Sequence, residues 1–192
     1  KWIMAGTAAA FTGAAAFARS EYELTHLDIV HYDIKTDKLG LEWNGFKAVF
    51  LSDLHDNSFG MENEELLAAI EKEQPDIVVI GGDMLVVKEW AAPHFDMLAN
   101  LYKKLVKRYP VYYAFGNHEQ RMKEEPLTYP GWWQSYWKVL KDSDMHVLVN
   151  KSEEIIKNGT AMRISGITLP RECYRKGRIP SLSAGYIDKK IG

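Results

Sequence analysis

The chain has a single cysteine, Cys173, in 192 residues. No intrachain disulfide is therefore available, so packing has to hold the fold, and the redox compartment stays open. An excess of positive charge is also missing. A net charge of −2 offers no global attraction for phosphate backbones, and nucleic acid is not expected as a partner. Internal repeats and low-complexity linkers are absent, which leaves out solenoids and bead-on-string arrangements. What is present, 46% hydrophobic and 26% charged residues, is the balance of one globular domain with a real core.

The first residues differ in kind. Trp2 to Ala18 carry no charge, follow Lys1 and end in Ala16-Phe17-Ala18 just before Arg19, the layout of a secretory signal or a short membrane anchor. No twin arginine precedes the segment, and its alanine, glycine and threonine content makes it only weakly hydrophobic. A removable export signal and an anchor both fit, and an alanine-rich helix packed on the domain is the plain alternative. Residues 1–20 are assigned to a signal peptide or membrane anchor. The location this predicts is exported or membrane-anchored, outside the cytoplasm.

Beyond the leader, "THLDIVHYDIK" alternates like a strand, with His26 and His31 as ordinary strand residues. From Gly45 onward the pattern reads strand, helix, strand, helix, strand: "FKAVFLSD", "ENEELLAAIEKEQ", "DIVVIGGD", "HFDMLANLYKKLVKRY" and "VYYAFGNHE". Short apolar runs alternating with amphipathic ones argue for βαβ units and a buried parallel sheet, an α/β fold. A further helix is predicted in "GWWQSYWKVLKDS", then a strand "HVLVN" and a hairpin turning at Asn158-Gly159. Trp133, Tyr136, Trp137 and Leu140 share one helical face and are expected to pack inward, with an interfacial membrane element as the competing reading. The basic stretch Arg171 to Arg178 reads as a solvated loop.

The chemistry-bearing residues all follow apolar strands. Asp53 and His55 come after the first, Gly82 and Asp83 after the second, Gly116, Asn117 and His118 after the third. Parallel strands gather such ends at one sheet edge, where loops hold ligands. The 30 residues from Asp53 to Asp83 and 34 from Asp83 to Asn117 each match one strand-helix-strand unit. Two carboxylates, an imidazole and an amide oxygen form an oxygen and nitrogen set suited to Mn, Fe or Zn rather than to a thiolate-selecting site. Each motif alone is a common turn. Their order and placement carry the argument.

"SDLH" (52–55), "GGDM" (81–84) and "GNHE" (116–119) resemble, in order and spacing, the first three signature blocks of the calcineurin-like metallophosphoesterases. The resemblance implies an α/β/β/α sandwich with two divalent metal ions between the sheets' C-terminal loops. Asp53 and His55 would bind the first ion, Asp83 would bridge both, and Asn117 would bind the second. His118 would act as acid or transition-state stabiliser while a metal-bound hydroxide attacks phosphorus. The substrate class implied is a phosphomonoester or phosphodiester, as a small molecule or a lipid. The family's pattern continues with a lone histidine and a Gly-His-x-His block, yet no histidine follows His146, which is placed too early and is read as structural. Residues 21–192 are accordingly expected to be the N-terminal part of such a domain, its C-terminal part missing, with weak activity alone. Two other readings compete: a non-catalytic binding scaffold on the same fold, and a membrane-surface hydrolase of phospholipid or lipid-linked nucleotide. Nothing in the sequence sets an oligomeric state.

Overall fold

Four apolar residues in a row, Ile77–Ile80, have no polar side for solvent, and they form β2, the middle of a parallel sheet. The computed structural model describes residues 19, 22, 25–174, 177 and 181–192. The sheet runs in the order β1 (Ala48–Leu51), β2, β3 (Val111–Tyr113), β4 (His146–Val147), every pair parallel. Side chains alternate across it. Val78, Ile80, Val111 and Tyr113 face one side, and Ile77, Val79 and Tyr112 the other.

The first side meets the helices: α1 (Glu64–Glu73), α2 (Phe95–Val106), α3 (Asn117–Glu124) and α4 (Trp132–Asp142). Leu66 and Ile70 of α1, one turn apart, point at the sheet, while Glu64 and Glu65 begin the helix and Lys72 ends it, in line with its dipole. Gln74 leaves in a left-handed conformation just before Pro75, which cannot continue the helix. Leu98, Leu101, Tyr102 and Leu105 of α2 are fully buried, as their spacing predicts. Truncating any of these leucines to alanine removes about 2–5 kcal/mol. In α4, Tyr136 and Leu140 are buried, and Trp133 stacks on Trp137 at 5.5 Å against the edge of Phe115. The aromatic run thus serves the core.

The second side is covered by the hairpin of β5 (Lys151–Lys157) and β6 (Thr160–Gly166), whose Ile155 and Ile164 pack on Ile77, Tyr112 and Leu148. Asn158 and Gly159 take φ of 50° and 81°, the positive pair a tight hairpin turn requires. A turn at Arg171–Tyr174 follows, then α5 (Tyr186–Ile191).

Two readings change. Residues 26–36 form no strand among the described residues, because alternation supplies side-chain direction and not a neighbour; His31 Nε2 instead meets Glu73 Oε2 at 2.8 Å. The strand at "HVLVN" shortens to His146–Val147, since Asn150 takes φ 51° to turn into the hairpin. Its His146 stacks on Tyr112 at 4.7 Å and binds Glu153 at 2.7 Å, a structural part. Of the signal or anchor residues 1–20, all but Arg19 lie outside the described residues; no helix among those described is long and apolar enough to cross a membrane.

Candidate metal centre

The parallel run of β1, β2 and β3 brings their C-terminal ends to one edge. The loops beyond are joined by backbone bonds: Asp53 N–H to Gly82 O (3.1 Å), His55 N–H to Asp83 O (3.0 Å) and Asp56 N–H to Met84 O (3.1 Å). To keep this pairing Asp53, His55 and Asp83 take φ of 57°, 53° and 51°. Residues other than glycine visit that region rarely, and such conformations persist where surrounding bonds impose them. Close approach sets the glycines: a Cβ on Gly82 would lie 1.9 Å from the Gly116 nitrogen, and one on Gly116 2.5 Å from Asp83 Oδ1.

Asp83 is the hub. It is buried, its Oδ1 accepting the His118 backbone N–H at 2.8 Å and its Oδ2 the Asn117 side-chain amide at 2.7 Å. Ligand atoms of His55, Asp83 and His118 all lie within 4.8 Å of one another. Metal bonds of about 2.0–2.2 Å to nitrogen and oxygen place donors roughly 3–4 Å apart, so His55 and Asp83 lie within a small adjustment of sharing a cation, with His118 alongside. Asp53 stands at the outer rim. It is exposed, accepts the Ser52 hydroxyl, and has Oδ1 3.9 Å from His55 Nε2.

His118 is half-buried with its ring 5.3 Å from that of His55. Its Nδ1 accepts the Val87 backbone N–H at 3.2 Å. A neutral imidazole that accepts at Nδ1 carries its hydrogen at Nε2. Burial holds its pKa below the ordinary value, the nearby Asp83 carboxylate opposing this and His55 and Arg121 reinforcing it.

Beneath the hub lies Glu119, with no exposure. One carboxylate oxygen accepts N–H from Asp83 (3.0 Å) and Gly116 (3.0 Å), the other from Met84 (3.2 Å) and the Tyr113 hydroxyl (2.8 Å). Tyr113 OH continues to Tyr136 OH at 2.6 Å, and Tyr136 to Tyr102 OH at 2.8 Å. A chain of hydroxyls therefore ties α2 and α4 to the loop that carries Asp83. Burial pushes the Glu119 carboxyl up, against the pull of its four donors. Asp56, one residue past the site histidine, accepts Val86 N–H at 2.9 Å and His94 N–H at 3.3 Å and so staples the loop before α2. A cavity of about 1050 Å³ opens over Asp53 and His55, lined also by Asn57, Phe59, Tyr22 and His26.

Residues 46–184 match the family model of the calcineurin-like phosphoesterases. The chain belongs to that family. It is 31% identical over 117 residues to a Bacillus subtilis (strain 168) protein named "Uncharacterized metallophosphoesterase YkoQ", an alignment covering 61% of this chain and 41% of the relative. The chain thus spans under half of the length of that relative. The phosphoesterase family and the α/β fold with its parallel sheet are those that the three signature blocks imply.

Among the residues singled out in sequence, the structure gathers His55, Asp83 and His118, bonds Asn117 to Asp83, and leaves Asp53 outermost. In sequence Glu119 is only the last residue of the third block. Its position three residues after Gly116, where a helix-opening acid reaches back to the N-cap nitrogen, is the signal that locates it. Helix α3 itself was not anticipated, because "GNHE" reads as the end of a strand.

Proposed function

We propose that this protein hydrolyses phosphate esters at the sheet edge through a dinuclear centre, with Asp53 and His55 on one divalent cation, Asn117 on the other and Asp83 shared. The observation that carries the reading is Asp83, a buried carboxylate at which three strand ends converge and whose two oxygens face different partners. Cations of the Mn, Fe or Zn kind, when bound, polarise the phosphoryl group and make a water nucleophile accessible near neutral pH. His118 binds the leaving side. With Nδ1 accepting Val87 N–H the ring is neutral, and its Nε2–H would donate a hydrogen bond to the departing oxygen and stabilise the charge that develops there, which supports a transition-state stabiliser rather than a ligand role. Asn117 contributes an uncharged carbonyl and keeps its amide on Asp83. The name of the Bacillus relative, a metallophosphoesterase, agrees with this reading.

The substrate we infer is a phosphomonoester or phosphodiester, small or lipid-borne, and the leader residues 1–20 favour action outside the cytoplasm, by export or anchoring. Fusion of that leader to a reporter tests the location; a purely cytosolic reporter contradicts it. Hydrolysis of 4-nitrophenyl phosphate and bis(4-nitrophenyl) phosphate with added Mn²⁺ tests the activity. We expect His118→Ala to lower turnover about a hundredfold or more with its metal content retained, the usual scale for losing a positioned transition-state hydrogen-bond donor. The full-length product inactive on both esters, with Mn²⁺ bound, contradicts the enzyme and favours a binding scaffold.

A further inference from the structure

A second cavity, of about 520 Å³, adjoins the centre on the side of α3 and is lined by Asn117, Gln120, Arg121, Arg171, Glu172 and Tyr174. Asn117 belongs to both the cavity and the candidate metal site. Arg121 follows it by one helical turn, so the two side chains share a face of α3. Arg121 is half-buried yet forms no ion pair among the described residues. Arg171, by contrast, is tied to Glu125. Tyr174 lines the same cavity as Asn117, so the turn at Arg171–Tyr174 stands beside the centre. Gln120 adds a buried Oε1 with no donor. Against two guanidinium groups the lining sets one carboxylate, Glu172.

A guanidinium partly withdrawn from water without a counter-charge is costly, and beside a phosphate site it fits an anion delivered with the substrate. We propose that this cavity recognises a second oxyanion, carboxylate or phosphate, on the non-reacting part of the phosphate ester, held chiefly by Arg121 with Arg171 and Tyr174 beside it. The preferred substrates are then esters such as phosphorylated hydroxy acids or bisphosphates rather than esters of uncharged alcohols. The stretch from Arg171, which by sequence is a solvated loop, becomes part of a specificity element.

This inference rests on the phosphoesterase reading, and two measurements separate their fates. Phosphate release by the Mn²⁺-loaded full chain is compared on glycerol 3-phosphate, 3-phosphoglycerate and 2,3-bisphosphoglycerate. Charge-assisted bonds to a second anion should favour one or both of the latter by about tenfold in kcat/KM, and Arg121→Met should cut that preference to roughly twofold, whereas Arg121→Lys restores part of it. The member of the pair preferred tells carboxylate from phosphate. Equal kcat/KM for all three in the wild type, or a preference unchanged in Arg121→Met, overturns the proposal. Isothermal titration in EDTA gives the second readout. Binding of 2,3-bisphosphoglycerate that Arg121→Met abolishes, with no hydrolysis of any ester, upholds the cavity and sinks the phosphoesterase reading; no binding and no hydrolysis overturns both.

Discussion

Asp53 and Asp83 are the same side chain at the ends of neighbouring parallel strands, and their surroundings differ almost completely. Asp83 is 8% exposed, and its loop rests on a buried carboxylate with four donors. The Asp53 side chain is 61% exposed and is held by one neighbouring hydroxyl. The floor of the site is part of the folded core and is set before any ligand arrives. The rim has only its backbone pairing and that hydroxyl to hold it.

Removing the floor should cost most. Glu119→Ala leaves three backbone N–H groups and the Tyr113 hydroxyl without their acceptor in the core, a loss of roughly 3 kcal/mol or more at about 1–3 kcal/mol per orphaned group. Calorimetry of the metal-free chain should show Tm falling by about 6–12 °C, given roughly 2–4 °C per kcal/mol at this size. A smaller cut follows from Tyr136→Phe, which breaks the hydroxyl chain at its middle and should cost about 1–2 kcal/mol, or roughly 3–6 °C. If the two variants melted alike, the chain would not converge on Glu119.

The floor should also titrate. Burial raises the folded Glu119 carboxyl above 4.5, so as pH climbs the unfolded chain ionises there first. Stability contributed by this group is complete below 4.5 and is lost as pH rises through its folded pKa. The wild-type advantage over Glu119→Gln in urea midpoint should therefore shrink from pH 4.5 upward. A difference flat across that window would contradict the assignment. Smallest of all, Asp53→Asn, a residue that tolerates the same φ of 57°, should change metal-free stability by no more than about 0.5 kcal/mol, as exposed substitutions do, while weakening Mn²⁺ binding. A large Tm change would mean that the rim, too, is built by folding.

How much of this the sequence disclosed follows the same division. β2, β3 and the buried face of α2 are legible because uninterrupted apolar runs and helical spacing of leucines have one outcome in a core. Asp53, His55, Asp83, Asn117 and His118 are legible because each follows such a run. The long-range partners were not. Nothing local tells that Tyr113, Tyr136 and Tyr102, on three elements, meet hydroxyl to hydroxyl, or that Arg171 returns beside α3. The alternation of residues 26–36 failed for the complementary reason, since a strand needs a neighbour that periodicity does not supply.

The most direct test of the centre is a Mn²⁺ titration of the wild type, Asp83→Ala and His118→Ala, followed by electron paramagnetic resonance of the free ion. Binding present in the wild type, lost in Asp83→Ala and retained in His118→Ala is the predicted result. Binding that survives Asp83→Ala, or disappears in His118→Ala, would contradict a centre built on Asp83 with His118 as a hydrogen-bond donor beside it.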